Sequence, residues 1–177
     1  MLNHFSIPKD SFNGPVLITG AGGCIGAWTT AMLLKANIEV IAFDLTSNKR
    51  RPELLISHEK LSKVPWVEGD ISNTETVIST IEKYKPESII HLAALQVPFC
   101  AADPTTGAKV NVVGTVNIME AARQNSIKRI SHASSMAAHS FIPGSDSLKT
   151  LYGAYKMCDE QISEVYWQDH KVPSVCL

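Results

Sequence analysis

Tyr152 and Lys156 stand four residues apart in a stretch of helical pattern, so a helix brings both side chains to one face, one turn apart. An ammonium beside a phenol favours the phenolate and lowers its pKa from about 10 toward neutrality, giving a proton carrier useful near pH 7. Ser135, at the mouth of the preceding strand, offers a hydroxyl that orients a substrate oxygen between itself and Tyr152. The three together suit hydride transfer: tyrosine for the proton, serine for orientation, lysine for charge and for a bond to a cofactor ribose. Tyr155 is the neighbouring alternative, but Asp159 follows it by one turn, and a carboxylate there raises a phenol's pKa. Tyr152 is therefore preferred. His91 and His139 are acid–base groups by type, yet neither has a partner at a telling spacing, and both read as structural.

A second constellation lies near the start of the chain. The run Val16-Leu-Ile-Thr-Gly20-Ala-Gly-Gly23-Cys-Ile-Gly26 delivers a short apolar strand into a glycine-rich turn from which a helix starts. The first glycine permits a tight turn, the second lets the backbone approach a pyrophosphate, and the third lets the helix pack on the strand. The helix amino terminus then presents N–H groups and a positive dipole end to phosphate. The spacing is Gly20, Gly23, Gly26 rather than the commoner G-x-G-x-x-G. Asp44 ends the second apolar run, roughly 20 residues beyond the turn, where a carboxylate accepts both hydroxyls of an adenosine ribose and repels the extra phosphate of NADP. NAD is the expected cofactor.

The elements that must position these residues follow in order. Strands are expected at Val16–Thr19, Val40–Phe43, Val64–Val67, Ser88–His91, Ile127–Ala133 and from Val172. Helices are expected over Ile25–Ala36, after Pro52, after a capping box at Ser72 to Glu75, over Pro104–Asn125 and over Thr150–His170. Leu92, Ala93 and Ala94 leave the fourth strand small and apolar, as required where a cofactor lies flat across strand ends. The alternation predicts an α/β protein with a doubly wound parallel sheet, a Rossmann arrangement. Val110, Val113, Val116, Ile118, Met119 and Ala122 make the 104–125 helix apolar on more than one side, which points to a subunit contact.

The bulk of the chain narrows the partners. Its 177 residues carry 16 basic and 17 acidic side chains with 45% hydrophobic content, as in a single globular domain, and no basic run makes a footprint for nucleic acid or anionic lipid. The four cysteines and six histidines show no metal-ligand spacing, and no stretch reaches the roughly 18 apolar residues of a membrane span. The reading is a cytoplasmic protein with a small-molecule substrate, no metal, no nucleic acid and no membrane.

Taken in order, Thr19-Gly-Ala-Gly-Gly-Cys-Ile-Gly26, Asp44, Gly69-Asp70-Ile71, His91-Leu-Ala-Ala94, Asn111-Val-Val-Gly-Thr115, Ser134-Ser135 and Tyr152-Gly-Ala-Tyr-Lys156 resemble the extended short-chain dehydrogenase/reductases, within them the NAD-dependent epimerase/dehydratase family. The resemblance implies that Gly20, Gly23, Cys24, Ile25 and Gly26 hold the pyrophosphate, that Asp44 binds the ribose, and that Asp70 and Ile71 flank the adenine. It implies further that Leu92, Ala93 and Ala94 line the cofactor, that Asn111 and Lys156 contact it, and that Ser135 and Tyr152 act on the substrate. The implied activity is reversible hydride transfer on a sugar carbinol in a homodimer, on a nucleotide sugar by analogy with the family's epimerases. A dehydrogenase of a sugar acid or other secondary alcohol and a non-catalytic NAD-binding module are the alternatives. Met136 and Ala137 stand where family dehydratases carry an acidic pair, so dehydration is not expected. Residues 1–14 read as a leader and 15–177 as the NAD-binding domain. Because the resemblance places the chain's last residues in a sixth strand, it implies a truncated form without a carboxyl-terminal substrate domain. Such a form is expected to bind NAD weakly and not to turn over a nucleotide sugar unaided.

Overall fold

The computed structural model describes residues 7–8, 11–127 and 129–177. Six strands, β1 (Val16–Thr19), β2 (Val40–Asp44), β3 (Trp66–Glu68), β4 (Ser88–His91), β5 (Ile130–His132) and β6 (Ser174–Cys176), form one parallel sheet in the order β3-β2-β1-β4-β5-β6. The order reverses at β1, and in such sheets the crevice at the carboxyl ends beside the reversal is where ligands bind.

Strand alternation divides the core in two. Leu17, Ile41, Phe43, Ile89 and Ile130 face one layer, which holds α4 (Thr74–Tyr84), α7 (Gly114–Gln124) and α8 (Leu151–His170) through Val77, Ile81, Ile118, Met119 and Ile162. Val16, Ile18, Val40 and Ala42 face the other, against Ala31 and Leu33 of α1 (Cys24–Lys35) and the segment carrying α2 (Arg50–Glu53) and α3 (His58–Leu61). Coverage of both faces explains why β1 reads as an unbroken apolar run, with all four residues buried.

Local chemistry corrects several expectations. No capping box forms at Ser72, because its N–H and hydroxyl both bond Asp70 Oδ1; Asn73 caps α4 instead, accepting from Thr76 N at 2.9 Å. Pro52 sits inside the first turn of α2, where its missing N–H has no intrahelical partner to lose. Strand β3 starts later than expected because Val64 N–H turns back to the Leu61 carbonyl. Strand β5 is shorter because Ile127 N–H still bonds Ala122 at the exit of α7, and Lys128 lies outside the described residues. The Pro104–Asn125 pattern is α6 (Pro104–Ala108), a π-helical segment Lys109–Val113 and then α7, with an unforeseen α5 (Val97–Ala102) ahead of it. Of the residues expected on a subunit face, Ile118, Met119 and Ala122 lie in the core, while Val113 is exposed. Part of the expected leader packs: Ile7 and Phe12 lie against the second core layer. Residues 1–6, 9 and 10 lie outside the described residues.

Candidate active site

The glycine turn is built by close approach. Gly20 has φ +71°, a left-handed conformation that L side chains resist, and a Cβ there would stand 2.8 Å from Ala93 N. A Cβ on Gly26 would stand 2.2 Å from the Gly20 carbonyl oxygen, so only glycine lets α1 begin directly over the loop. No side chain caps α1 and no acid occupies its first turn, which leaves the helix amino terminus able to receive an anion between Gly23 and Gly26. Cys24 and Ile25, its first two residues, are exposed there.

Asp44 ends β2 beside this loop. Its Oδ2 accepts from Gly22 N at 2.8 Å, so the carboxylate is aimed at the turn and its other oxygen has no hydrogen bond to a described residue. The cradle a Cβ would fill, the uncapped helix end and the oriented carboxylate fit a dinucleotide with a free ribose 2′-hydroxyl. Gly22 was missed by the triplet pattern, although the backbone N–H it presents is what fixes Asp44.

The β4 exit is tied to β1 by a hydroxyl. Thr19 Oγ1 accepts from Leu92 N and Ala93 N, each at 3.2 Å, which directs its proton to His91 Nδ1 at 2.7 Å. Nε2 of His91 therefore carries the ring hydrogen and donates to Thr115 Oγ1 at 3.3 Å, whose own proton goes to the Asn111 carbonyl. His91 is a neutral core group: burial, aided by Lys156 and His132, pulls its pKa down to about 3. Asn111 lies in the π-helical segment and is buried. Its amide accepts from Leu95 N at 2.7 Å and donates to Leu95 O at 2.9 Å, clamping the loop that Leu92, Ala93 and Ala94 begin. The Asn111 amide thus positions the Leu95 loop. Asp70 is exposed and its Oδ1 is taken by Ser72, while the Ile71 side chain is buried in the core and its carbonyl accepts from Asn117. Any contact of Ile71 with a ligand falls to its backbone.

The start of α8, which carries Tyr152, packs on the loop that follows Ser135. Thr150 caps this helix, accepting from Gly153 N at 3.0 Å. A Cβ on Gly153 would stand 2.4 Å from the Ala137 carbonyl oxygen, so a glycine next to Tyr152 seats the helix on the loop that leaves Ser135. Ser135 Oγ accepts from Ala137 N at 3.2 Å, which keeps its proton available. Tyr152 is half-buried, and among the described residues its hydroxyl has no hydrogen bond. Tyr155, the alternative, donates its hydroxyl to the Pro104 carbonyl at 2.9 Å and serves to dock α8 on α6.

Lys156 has a buried partner that its spacing to Tyr152 does not predict. Its ammonium is buried and bonds Asp159 Oδ2 at 3.2 Å, a carboxylate with no exposure at all. Burial pushes the Asp159 carboxyl up to about 6 against the pull of Lys156. Beside the pair, Ser163 Oγ donates to the Asp159 carbonyl, so His132 Nε2–H donates to Ser163 at 2.7 Å and burial holds His132 neutral, its pKa down to about 4. The sequence reading considers Asp159 only for its effect on Tyr155; its i, i+3 spacing to Lys156 is the signal that pairs the two.

Among the described residues no His, Cys, Asp or Glu group could hold a metal ion, and no helix is long and apolar enough to cross a membrane. Two concavities lie elsewhere, one of about 650 Å³ at the amino ends of β4 and β5 and one of about 440 Å³ between α8 and β6. Neither includes a candidate site residue.

The model of the NAD dependent epimerase/dehydratase family matches residues 16–177. A UDP-glucose 4-epimerase of Mycolicibacterium smegmatis is 39% identical over 120 residues, covering 67% of this chain and 38% of that protein. The crystal structure of UDP-glucose 4-epimerase from Brucella ovis in complex with NAD superposes with a TM-score of 0.76 at 26% identity, over 92% of this chain and 50% of that one. An L-threonine dehydrogenase from Clostridium difficile superposes at 0.78 with 25% identity, over 94% of this chain and 53% of that one. The chain thus spans about half or less of the length of these relatives.

Proposed function

We propose, from the premise that this chain belongs to the NAD-dependent epimerase/dehydratase family, that it binds NAD across the carboxyl ends of β1, β2 and β4 and serves reversible hydride transfer on a sugar carbinol carried by a nucleotide. The observation that carries the reading is the conjunction, at one end of one sheet, of the uncapped α1 amino terminus, the oriented Asp44 carboxylate and the Ser135–Tyr152 pair seated by Gly153. Similarity to the UDP-glucose 4-epimerases supports the substrate class.

NAD, when bound, supplies the hydride acceptor and donor. The chain supplies the rest. Amide groups at Cys24, Ile25 and Gly26 hold the pyrophosphate, and Asp44 accepts from the adenosine ribose and disfavours a 2′-phosphate. Leu92, Ala93 and Ala94 form the floor of the crevice. Ser135 donates to the substrate oxygen, and Tyr152 takes its proton as the carbinol becomes a carbonyl and returns it on reversal. Lys156 provides positive charge beneath the tyrosine and the cofactor ribose. In an epimerase the hydride returns to the other face of the same carbon and no reduced cofactor accumulates.

The likeness to L-threonine dehydrogenase favours one second reading, a dehydrogenase of a secondary alcohol. Calorimetric titration of the purified chain with NAD tests the binding, and a dissociation constant weaker than millimolar would defeat both readings. Stoichiometric NADH release at 340 nm with a secondary alcohol then marks the dehydrogenase, and interconversion of UDP-glucose and UDP-galactose without NADH release marks the epimerase. In a longer form that turns over substrate, Tyr152→Phe is expected to lower turnover by roughly 100-fold or more with NAD affinity within about twofold; unchanged turnover would remove Tyr152 from the chemistry. A homodimer, with exposed Val97, Phe99, Val113 and Leu151 as its apolar contact, belongs to the same reading and is checked by light scattering.

A further inference from the structure

We propose that Asp159 is the internal counter-ion of Lys156, keeping the buried amine protonated and fixing where its ammonium points, so that Asp159 serves the cofactor site as a positioning residue acting through Lys156. The proposal rests on the reading that Lys156 faces NAD. Its physical basis is separate from that reading.

Lys156 retains 3% of its surface exposed and Asp159 none, and their charged atoms are 3.2 Å apart. A buried amine without a carboxylate loses its proton near neutral pH, because desolvation penalises the charged form. The groups around Lys156 supply no alternative. His91 on β4 and His132 on β5 are neutral, and burial raises the thiols of Cys100 on α5 and Cys176 on β6, so they stay protonated. On α8 itself, Cys158 is likewise raised, and the Glu160 carboxylate is bonded by the Ser134 hydroxyl. Of these two nearby carboxylates, Asp159 is the one that bonds the ammonium directly, while Glu160 bonds Ser134. Among the described residues the buried Oδ1 of Asp159 makes no hydrogen bond, and Oδ2 bonds Lys156. A buried ion pair contributes little net stability, since desolvation of both ions offsets their attraction. Retaining one charge inside the helix packing is therefore its physical effect.

The test labels the whole chain with [13C]lysine, assigns the Lys156 Cε resonance with Lys156→Arg, and titrates it. The parent chain supplies the reference midpoint. In Asp159→Asn the midpoint should fall by at least about one pH unit. NAD affinity of that variant should then weaken as pH rises through the new midpoint, while the parent stays flat, and Asp159→Glu should restore both. An unchanged Lys156 midpoint in Asp159→Asn overturns the proposal. If the parent chain fails to bind NAD, the functional reading fails while the lysine titration still decides the role of Asp159. Should Asp159→Asn fail to fold, the double variant Lys156→Met with Asp159→Leu decides. A folded double variant shows that the carboxylate was needed only because of the ammonium, and an unfolded one overturns the proposal.

Discussion

Replacing Gly26 by alanine should damage stability and NAD binding together. The added Cβ would lie 2.2 Å from Gly20 O and 2.8 Å from the Ala21 Cα, both backbone atoms that cannot rotate away. An ordinary contact requires about 3.5 Å, so the start of α1 must retreat from the loop by roughly 1 Å. That movement loosens Ala27, Ala31 and Leu33, which α1 buries against the sheet. Overpacking of this kind costs about 1–3 kcal/mol, and each kcal/mol lowers Tm by roughly 2–4 °C in a domain of this size. The same displacement turns the first N–H groups of α1 off the phosphate. Loss of one charge-assisted hydrogen bond, about 1.5–3 kcal/mol, corresponds to roughly 10- to 100-fold in the NAD dissociation constant. Urea unfolding and isothermal titration with NAD measure the two effects. Gly23→Ala is the control for stability alone, because its Cβ would stand 3.1 Å from the nearest atom and needs only a few tenths of an ångström. A Gly26→Ala variant matching the parent in both assays would refute the argument that close approach of α1 builds the phosphate site.

Two further outcomes are expected. Asp44→Asn keeps an acceptor for Gly22 N but removes the charge, so it should weaken NAD by about tenfold while narrowing the preference for NAD over NADP, read as the ratio of dissociation constants. An unchanged ratio would take Asp44 out of cofactor selection. Acidification should destabilise the fold below about pH 6.5, the unfolded histidine value. His91 and His132 titrate at about 3 and about 4 when folded, so the unfolded chain binds more protons and stability falls as pH falls. Asp159, at about 6 folded against about 3.9 unfolded, acts in the opposite direction between pH 4 and 6 and offsets one histidine. Between pH 5 and 6 the net is close to one proton, about 1.4 kcal/mol per pH unit. Urea midpoints at pH 6 and pH 5 measure it, and His132→Asn should flatten the slope; a slope unchanged by that substitution would refute the assignment.

Much of this protein was legible in local chemistry. The glycine turn, the acid closing β2 and the Tyr-x-x-x-Lys spacing depend on backbone geometry over a few residues, and Thr150 stops and starts the chain where its hydroxyl can cap α8. The parallel order followed from alternating strand and helix patterns, because short connections allow few topologies. Composition and spacing had no access to groups that meet only when distant strands come into register. Thr19 reaches His91 because β1 pairs with β4, and His132 reaches Ser163 and Cys176 because α8 and β6 lie beside β5. The π-helical turn at Asn111 was hidden for the same reason, since its amide answers the Leu95 loop across a tertiary contact. Sequence alone placed Lys156 one turn from Tyr152 and so expected its charge to act there. Only the tertiary structure, by burying that face of α8, made Asp159 its partner: once water is excluded, an ammonium must be balanced by the nearest carboxylate the packing provides.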